Sequence, residues 1–157
     1  MDILQSLQDR LNDKMNLDRY LFYATISVER HFTKKNSRPI FRGKGGKPFL
    51  GKDPTFSKAE TSMVSYLRTQ APDFGITEPL ECDLWAVFFF HFDNYYVKDG
   101  SRRSKRVGDL SNLYQMPEDC LQRAGIIKDD SQIVSHDLSR RLPSDRNMLE
   151  IFLFEAE

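Results

Sequence analysis

The chain has 157 residues, of which 39% are hydrophobic and 29% are charged, and 12 Phe, 6 Tyr and 1 Trp supply material for a core. This length suits a single domain, and the composition excludes a chain that is disordered throughout. The formal net charge is +0, from 23 Lys and Arg against 23 Asp and Glu, so the overall charge gives no sign of a polyanionic partner.

The zero net charge conceals two basic segments. The first basic segment, residues 30–58, holds nine Lys and Arg against one Asp, and the second, residues 98–106, holds five against one. Acidic residues are spread through the rest of the chain. This segregation favours a face that binds a polyanion, and a pair of solvated surface loops is the alternative.

No apolar run approaches the roughly 20 residues that span a bilayer, and residues 1–5 show neither a basic flank nor an apolar signal core. We therefore expect a soluble protein of the cytoplasm, with no membrane partner. Cys82 and Cys120 are isolated, which favours ordinary packing over a disulfide or a thiolate metal site.

The first half of the chain predicts one appended helix and the start of a sheet. Apolar residues at helical spacing predict an amphipathic helix in residues 1–18, as an appendage of a domain over 19–157. Aromatic and β-branched residues predict a strand over 20–29. The first basic segment then reads as a long functional loop, and a helix is expected over about 55–70 with the stripe Ala59, Met63, Val64 and Leu67.

The second half predicts a buried centre. The continuous apolar run over 82–92 is typical of a strand buried on both faces. A helix is expected over 109–124, interrupted at Pro117 and stopped by Gly125, followed by strands over 131–141 and 148–155 joined as a hairpin. The whole pattern predicts a single α+β domain with a mixed β-sheet covered by helices.

Three carboxylates stand out for their chemistry. Asp109 begins the predicted helix, and Asp129 and Asp130 follow the turn at its far end, so a helix and an adjoining strand can bring them together. Carboxylate oxygens suit Mg²⁺ or Mn²⁺, and a metal beside a basic rim suits phosphodiester hydrolysis. The alternative reading is a helix N-cap at Asp109 and an ordinary acidic turn at Asp129 and Asp130.

These residues also resemble a known signature. The run DLSNL from Asp109, a following Asp119-x-Leu121, and the AGIIKDDSQI that contains Asp130 are similar to the motifs of RusA-type Holliday-junction endonucleases of phage and prophage origin. Upstream, the FTKKNSR from Phe32 and the GKPF that follows resemble the basic loop of one branch of that family. The resemblance covers roughly residues 22–155 and implies a RusA-like fold.

The resemblance implies a homodimeric, Mg²⁺- or Mn²⁺-dependent nuclease that binds four-way DNA junctions and nicks two strands. It assigns metal binding and catalysis to Asp109 and Asp130, with Asp129 as a further candidate ligand. The family carries a third aspartate and a lysine where this chain has Ser111 and Gln115. Compensating groups are then sought among Glu118, Asp119, Lys128, Lys105, Lys34 and Lys35.

Three candidate functions follow. One is a structure-specific endodeoxyribonuclease of recombination and DNA repair, and another is a weakened or inactive junction-binding protein on the same fold. A protein-interaction domain indifferent to DNA is a third.

Three aromatic residues of the first basic segment have two possible roles: Phe32, Phe41 and Phe49 either wedge between bases or anchor the loop to the core. His91 is interpreted as a hydrogen-bonded core residue. The expected contacts to DNA are Lys34, Lys35, Asn36, Arg38, Arg42, Lys44, Lys47, Arg102, Arg103, Lys105 and Arg106.

Overall fold

A computed structural model describes residues 20–33, 40–42, 48–50 and 54–156. The predicted helix over 1–18 lies outside these ranges. Within them, no helix is long and apolar enough to cross a membrane. The helices are α1 (Pro54–Gln70), α2 (Leu110–Leu113) and α3 (Gln115–Arg123), with 3-10 turns at Ala71–Phe74, Lys105–Val107 and Asp130–Gln132. The strands are β1 (Phe22–Ser27), β2 (Ile40–Arg42), β3 (Pro48–Leu50), β4 (Leu84–Phe92), β5 (Ile133–Ser135), β6 (Arg140–Pro143) and β7 (Met148–Glu155).

The main sheet is mixed and has five strands. Its order is β1–β7–β4–β5, and β6 also pairs with β4. Strand β7 lies antiparallel to β1 on one side and to β4 on the other, whereas β5 and β6 run parallel to successive parts of β4. Strands β2 and β3 pair separately, within the first basic segment. This sheet, covered by helices, confirms the predicted single α+β domain.

Strand β4 is the centre of the molecule, and all nine of its residues are buried. Alternate side chains of a strand point to opposite faces of the sheet, so an unbroken apolar run is needed where both faces are covered. Phe88 and Phe90 lie on the face that packs against α1 and α3. Trp85 and Phe89 belong to a second cluster on the other face. The prediction of a central strand is confirmed.

Helix α1 packs on the first face of the sheet and is joined to α3. Met63, Val64 and Leu67 are buried, as the spacing predicts. Glu60 is also buried and forms an ion pair with Arg123 of α3. A carboxylate in this position requires a partner, because leaving one charge buried and unpaired is strongly destabilising.

The predicted C-terminal hairpin is wrong. The predicted strand over 131–141 is two short strands, β5 and β6, separated by a turn in which Leu138 has a positive φ of 73°. Strand β6 pairs with β4 in parallel and not with β7. The reason is burial: β7 has apolar residues on both faces and takes an inner position between β1 and β4, whereas β6 is only half-buried.

The helix over 109–124 is interrupted, but the break is at Tyr114 and not at Pro117. Tyr114 lies between α2 and α3, and Pro117 occupies the first turn of α3. A proline there costs no helical hydrogen bond, because the first N–H groups of a helix have no partner within it. Helix α3 ends before Gly125, which has a positive φ of 79°, as the sequence predicts.

Two histidines lie close together near the end of β4. The side chain of His91 is hydrogen-bonded to Glu150 at 2.6 Å, which confirms its reading as a core residue. His31 Nε2 lies 2.7 Å from the carbonyl oxygen of His91. A carbonyl only accepts, so His31 donates from Nε2. Burial lowers the pKa of His31 to about 4.

We expect His31 to make folding sensitive to acid. The unfolded imidazole binds a proton near pH 6.5, whereas the folded one does so only near pH 4, so lowering the pH favours the unfolded chain. Between pH 7 and pH 5 this loss amounts to roughly 2 kcal/mol of unfolding free energy. Urea unfolding at both pH values measures it. The variant His31→Gln keeps an N–H donor and does not titrate, so its stability should fall less, and an equal fall would contradict this assignment.

Candidate functional site

Asp109 is the residue immediately before α2. Its backbone is extended and its carbonyl oxygen accepts the N–H of Asn112 at 3.1 Å. Its side chain is exposed and makes no capping hydrogen bond, so the capping role left open by the sequence is not adopted. The carboxylate is therefore presented to solvent from a fixed backbone.

Gly108 fixes the approach to Asp109. It has a φ of 75°, which glycine adopts without strain, and its carbonyl accepts a hydrogen bond from Arg141 Nη1 at 2.6 Å. A Cβ atom at this position would lie 3.3 Å from Thr33 Cγ2. Thr33 of the first basic segment therefore lies close to the backbone that leads into Asp109.

A cleft borders this contact, and both basic segments reach it. Thr33 of the first segment and Lys105 of the second line it together with Gly108. The other lining residues follow β1, end or follow β4, precede β7 or lie in the 3-10 turn before Gly108: Glu29, Arg30, His31, Phe32, Phe92, Asp93, Asn94, Val107 and Asn147. The opening thus brings together two cations, Arg30 and Lys105, and two carboxylates, Glu29 and Asp93, and its Gly108 directly precedes Asp109.

The expected DNA contacts are described only in part. Arg102, Arg103 and Lys105 are exposed, and Arg106 lies in the 3-10 turn Lys105–Val107. Arg42 lies in β2. The remaining predicted contacts lie outside the described residues: Lys34, Lys35, Asn36, Arg38, Lys44 and Lys47.

Phe32 anchors the first basic segment to the core. It is 7% exposed and packs edge-on against Phe56 of α1, with 5.3 Å between ring centroids. The guanidinium carbon of Arg30 lies 4.4 Å from the centroid of the Phe32 ring. A wedge between bases needs an exposed ring, so the wedge reading is wrong for Phe32 and the anchor reading is confirmed. Phe41 and Phe49 lie in β2 and β3.

Asp129 and Asp130 begin the 3-10 turn before β5. The Asp129 carboxylate accepts the N–H of Ser131 at 3.1 Å. Gln132 Oε1 accepts the N–H groups of Lys128 and Asp129 at 2.7 and 2.8 Å, and Gln132 Nε2 donates to the carbonyl oxygens of Leu80 and Cys82. One amide side chain thus holds the acidic turn against the segment that leads into β4.

We expect Gln132→Ala to destabilise the fold by roughly 1–3 kcal/mol, because it leaves backbone groups of this half-buried turn without partners. Urea unfolding measures the change. A loss for Gln132→Ala no greater than that of an exposed β5 variant such as Val134→Ala would contradict the anchoring role.

Negative charge is concentrated around Asp130. A hydrogen bond to the Asp129 side chain, burial, and the charges of Asp129, Glu118 and Asp119 together raise the pKa of Asp130. Hydrogen bonds from Ser131 and Asp130 lower the pKa of Asp129. Of the two carboxyl groups, Asp130 therefore keeps its proton to the higher pH. The charges of Glu118 and Asp119 on α3 act on Asp130, so these two candidates lie within electrostatic range of it.

Glu118 is held in place by a histidine that the sequence did not single out. His136, just after β5, forms a short hydrogen bond with Glu118, and its ring stacks on Tyr114 at 4.1 Å with 4° between the planes. Tyr114 in turn contacts Phe88 of β4, and burial raises its pKa. No spacing rule links residues 114, 118 and 136, since the sheet brings them together.

Asp109 is not among the groups whose charge raises the pKa of Asp130. Over the described ranges, no three His, Cys, Asp or Glu side chains are arranged to hold a metal ion. Ser111 and Gln115 are both exposed. Asp129, Glu118 and Asp119 thus lie within electrostatic range of Asp130, and Asp109 follows the Gly108 that lines the cleft.

A mixed α+β domain whose exposed carboxylates lie beside a cleft reached by two basic segments is the arrangement expected of a protein that acts on phosphodiesters. The family described as Endodeoxyribonuclease RusA matches residues 33–153. The chain belongs to this family of endodeoxyribonucleases. The search of curated proteins gives no match to the chain.

Proposed function

We propose that this chain is a homodimeric, divalent-metal-dependent endonuclease that nicks Holliday junctions and related branched DNA during recombination and repair. The closeness of Thr33 to Gly108 carries the proposal, because it brings a described residue of the first basic segment next to the residue that precedes Asp109. Asp109 and Asp130 are the proposed metal ligands and catalytic carboxylates, with Asp129 as a further ligand.

The carboxylates suit a hard divalent cation. Mg²⁺ and Mn²⁺ prefer oxygen ligands, and a cation relieves the mutual repulsion that raises the pKa of Asp130. When bound, the ion would lower the pKa of a water and stabilise charge on the phosphate. Glu118, held by His136, is placed to supply negative charge near Asp130 that Ser111 does not supply.

The two basic segments would position the DNA. Their Lys and Arg side chains neutralise phosphates, and glycines in the first segment let the backbone approach closely. Such contacts read no sequence, which suits a protein that recognises the shape of a junction. Each phosphate neutralised in a duplex arm is expected to lower log affinity by about 0.9 per tenfold rise in salt concentration.

The experiment is a nicking assay on a synthetic four-way junction with Mg²⁺ and with Mn²⁺, at protein concentrations that saturate binding. Paired nicks in two strands are expected, with much less cleavage of a linear duplex of the same arms. Sedimentation of the protein tests the dimer. If neither metal supports nicking of the bound junction, the catalytic proposal fails.

The second candidate is a junction-binding protein that does not cleave. Ser111 and Gln115 favour it, as does the finding that, over the described ranges, no three His, Cys, Asp or Glu side chains are arranged to hold a metal ion. Calorimetric titration with Mn²⁺ separates the candidates. A specific site that is lost in Asp109→Asn supports the nuclease, whereas tight junction binding with no metal site supports the binding protein.

A further inference from the structure

We propose that Tyr96, on the hairpin formed by residues 95–104, is a stacking platform for an unpaired base of the bound DNA. This inference rests on the proposed function, since it names how the second basic segment recognises its substrate. Among the described residues, Tyr96 is the most exposed aromatic ring, at 52%. Single exposed apolar residues are common, so the argument depends on what surrounds this ring.

The hairpin is preorganised. Ser104 N–H donates to the carbonyl of Tyr95 at 2.8 Å, and Val97 N–H donates to that of Arg102 at 2.9 Å. At the tip, Gly100 has a φ of 75° and the Asp99 carboxylate accepts from the N–H and the hydroxyl of Ser101. A side chain on such a scaffold loses less conformational freedom on binding than one on an unstructured loop.

The ring of Tyr96 is supported on one side. It packs edge to face against Tyr95, with 5.0 Å between centroids and 74° between planes, and Tyr95 in turn packs against Phe92 at the end of β4. About half of the Tyr96 side chain is nevertheless exposed to solvent. An exposed aromatic ring braced by the core is the kind of group on which nucleic-acid bases stack.

A guanidinium lies next to this ring. Tyr96 and Arg103 are directly paired across the antiparallel hairpin, so their side chains leave the same face with Cβ atoms about 5 Å apart. Lys98 and Arg102 add exposed positive charge. Within the described ranges, neither Arg102 nor Arg103 forms an ion pair with a carboxylate. An aromatic ring beside cations is the combination that binds a base together with its phosphate.

The hairpin also stands at the cleft of the candidate site. Asp93 and Asn94, which precede it, and Lys105, which follows it, all line that cleft with Gly108. A DNA strand with a base stacked on Tyr96 would therefore pass close to the cleft. Bases in a continuous duplex are already stacked on each other, whereas the centre of a junction offers bases that can leave the stack. The ligand is accordingly an unpaired base in branched or single-stranded DNA.

The test uses the full chain and the variants Tyr96→Ala, Tyr96→Phe and Tyr66→Ala, the last being an exposed tyrosine of α1. The binding of each protein to three probes is measured without metal. The probes are a four-way junction with 2-aminopurine at its centre, a single-stranded oligonucleotide containing 2-aminopurine, and a linear duplex. The original chain is expected to quench the fluorescence of 2-aminopurine when the base stacks on Tyr96. For Tyr96→Ala we expect about tenfold weaker binding to the first two probes, loss of this quenching, and unchanged binding to the duplex. Tyr96→Phe and Tyr66→Ala should behave as the original chain.

Unchanged affinity and quenching in Tyr96→Ala would overturn the inference, and so would an equal loss on the duplex. A loss that sedimentation traces to a broken dimer would also overturn it, since the ring would then contact protein. The proposed function fails separately. If the original chain does not distinguish the junction from the duplex, but Tyr96 governs quenching on the single strand, the stacking platform stands and the junction specificity falls.

Discussion

Asp130→Asn is expected to reduce nicking of a four-way junction about 100-fold or more while leaving junction affinity within about twofold. The carboxylate is a proposed metal ligand, and an amide oxygen replaces its charge with a weak dipole, so both metal affinity and activation of water decline. DNA affinity depends instead on the cations of the basic segments, which the change does not touch.

Loss of folding would not explain such a result. The hydrogen bond to Asp129, burial and the neighbouring carboxylates raise the pKa of Asp130, so its ionisation is less favourable in the folded than in the unfolded chain, and removing the charge should not lower stability. Asp145→Asn is the matched control, because Asp145 is exposed in the turn between β6 and β7. Single-turnover nicking and urea unfolding of both variants distinguish a lost metal ligand from a lost fold. Full nicking activity in Asp130→Asn would mean that the metal site lies elsewhere.

Helices and strands whose apolar residues follow a regular spacing, on one face or on both, could be predicted from the sequence. Strand β4 reads as central because its apolar run leaves no polar face, and α1 follows from the spacing of Met63, Val64 and Leu67. The hairpin between the last two strands could not be predicted correctly. Turn residues at 143–147 indicate only that the chain reverses direction. Strand β6 pairs with β4 because the more apolar β7 takes the inner position beside β4, and this depends on contacts between distant parts of the sequence.

The candidate site divides in the same way. Motif spacing singled out Asp109, Asp129 and Asp130 because these residues are local in the sequence. The support of the site is not local: Arg141 holds Gly108 from 33 residues away, and Gln132 holds the acidic turn against residues 80 and 82. His136 reaches Glu118 only because β5 lies beside β4. A sequence shows such residues as ordinary polar positions until the sheet order is known.

Phe88→Ala is expected to destabilise the fold by about 3–5 kcal/mol, the largest effect among the stability variants considered. Phe88 is fully buried at the centre of β4, and the small side chain would leave a cavity that a paired central strand cannot close. The rings of Tyr114 and His136 both pack against Phe88, each with 5.9 Å between centroids. The cavity therefore opens beneath the pair that holds Glu118 near Asp130.

Phe88→Ala should accordingly weaken Mn²⁺ binding as well as stability, whereas Phe88→Leu, which fills most of the space, should lose roughly 1 kcal/mol and keep the metal site. Val134→Ala is the surface control: Val134 is 57% exposed on β5, and its change should stay within about 0.5 kcal/mol. Urea unfolding and Mn²⁺ calorimetry on the four proteins measure both effects. A Phe88→Ala variant as stable as Val134→Ala would mean that β4 is not the centre of the core. If Phe88→Ala kept its full Mn²⁺ affinity while folded, the Glu118 and His136 pair would have no part in holding the metal.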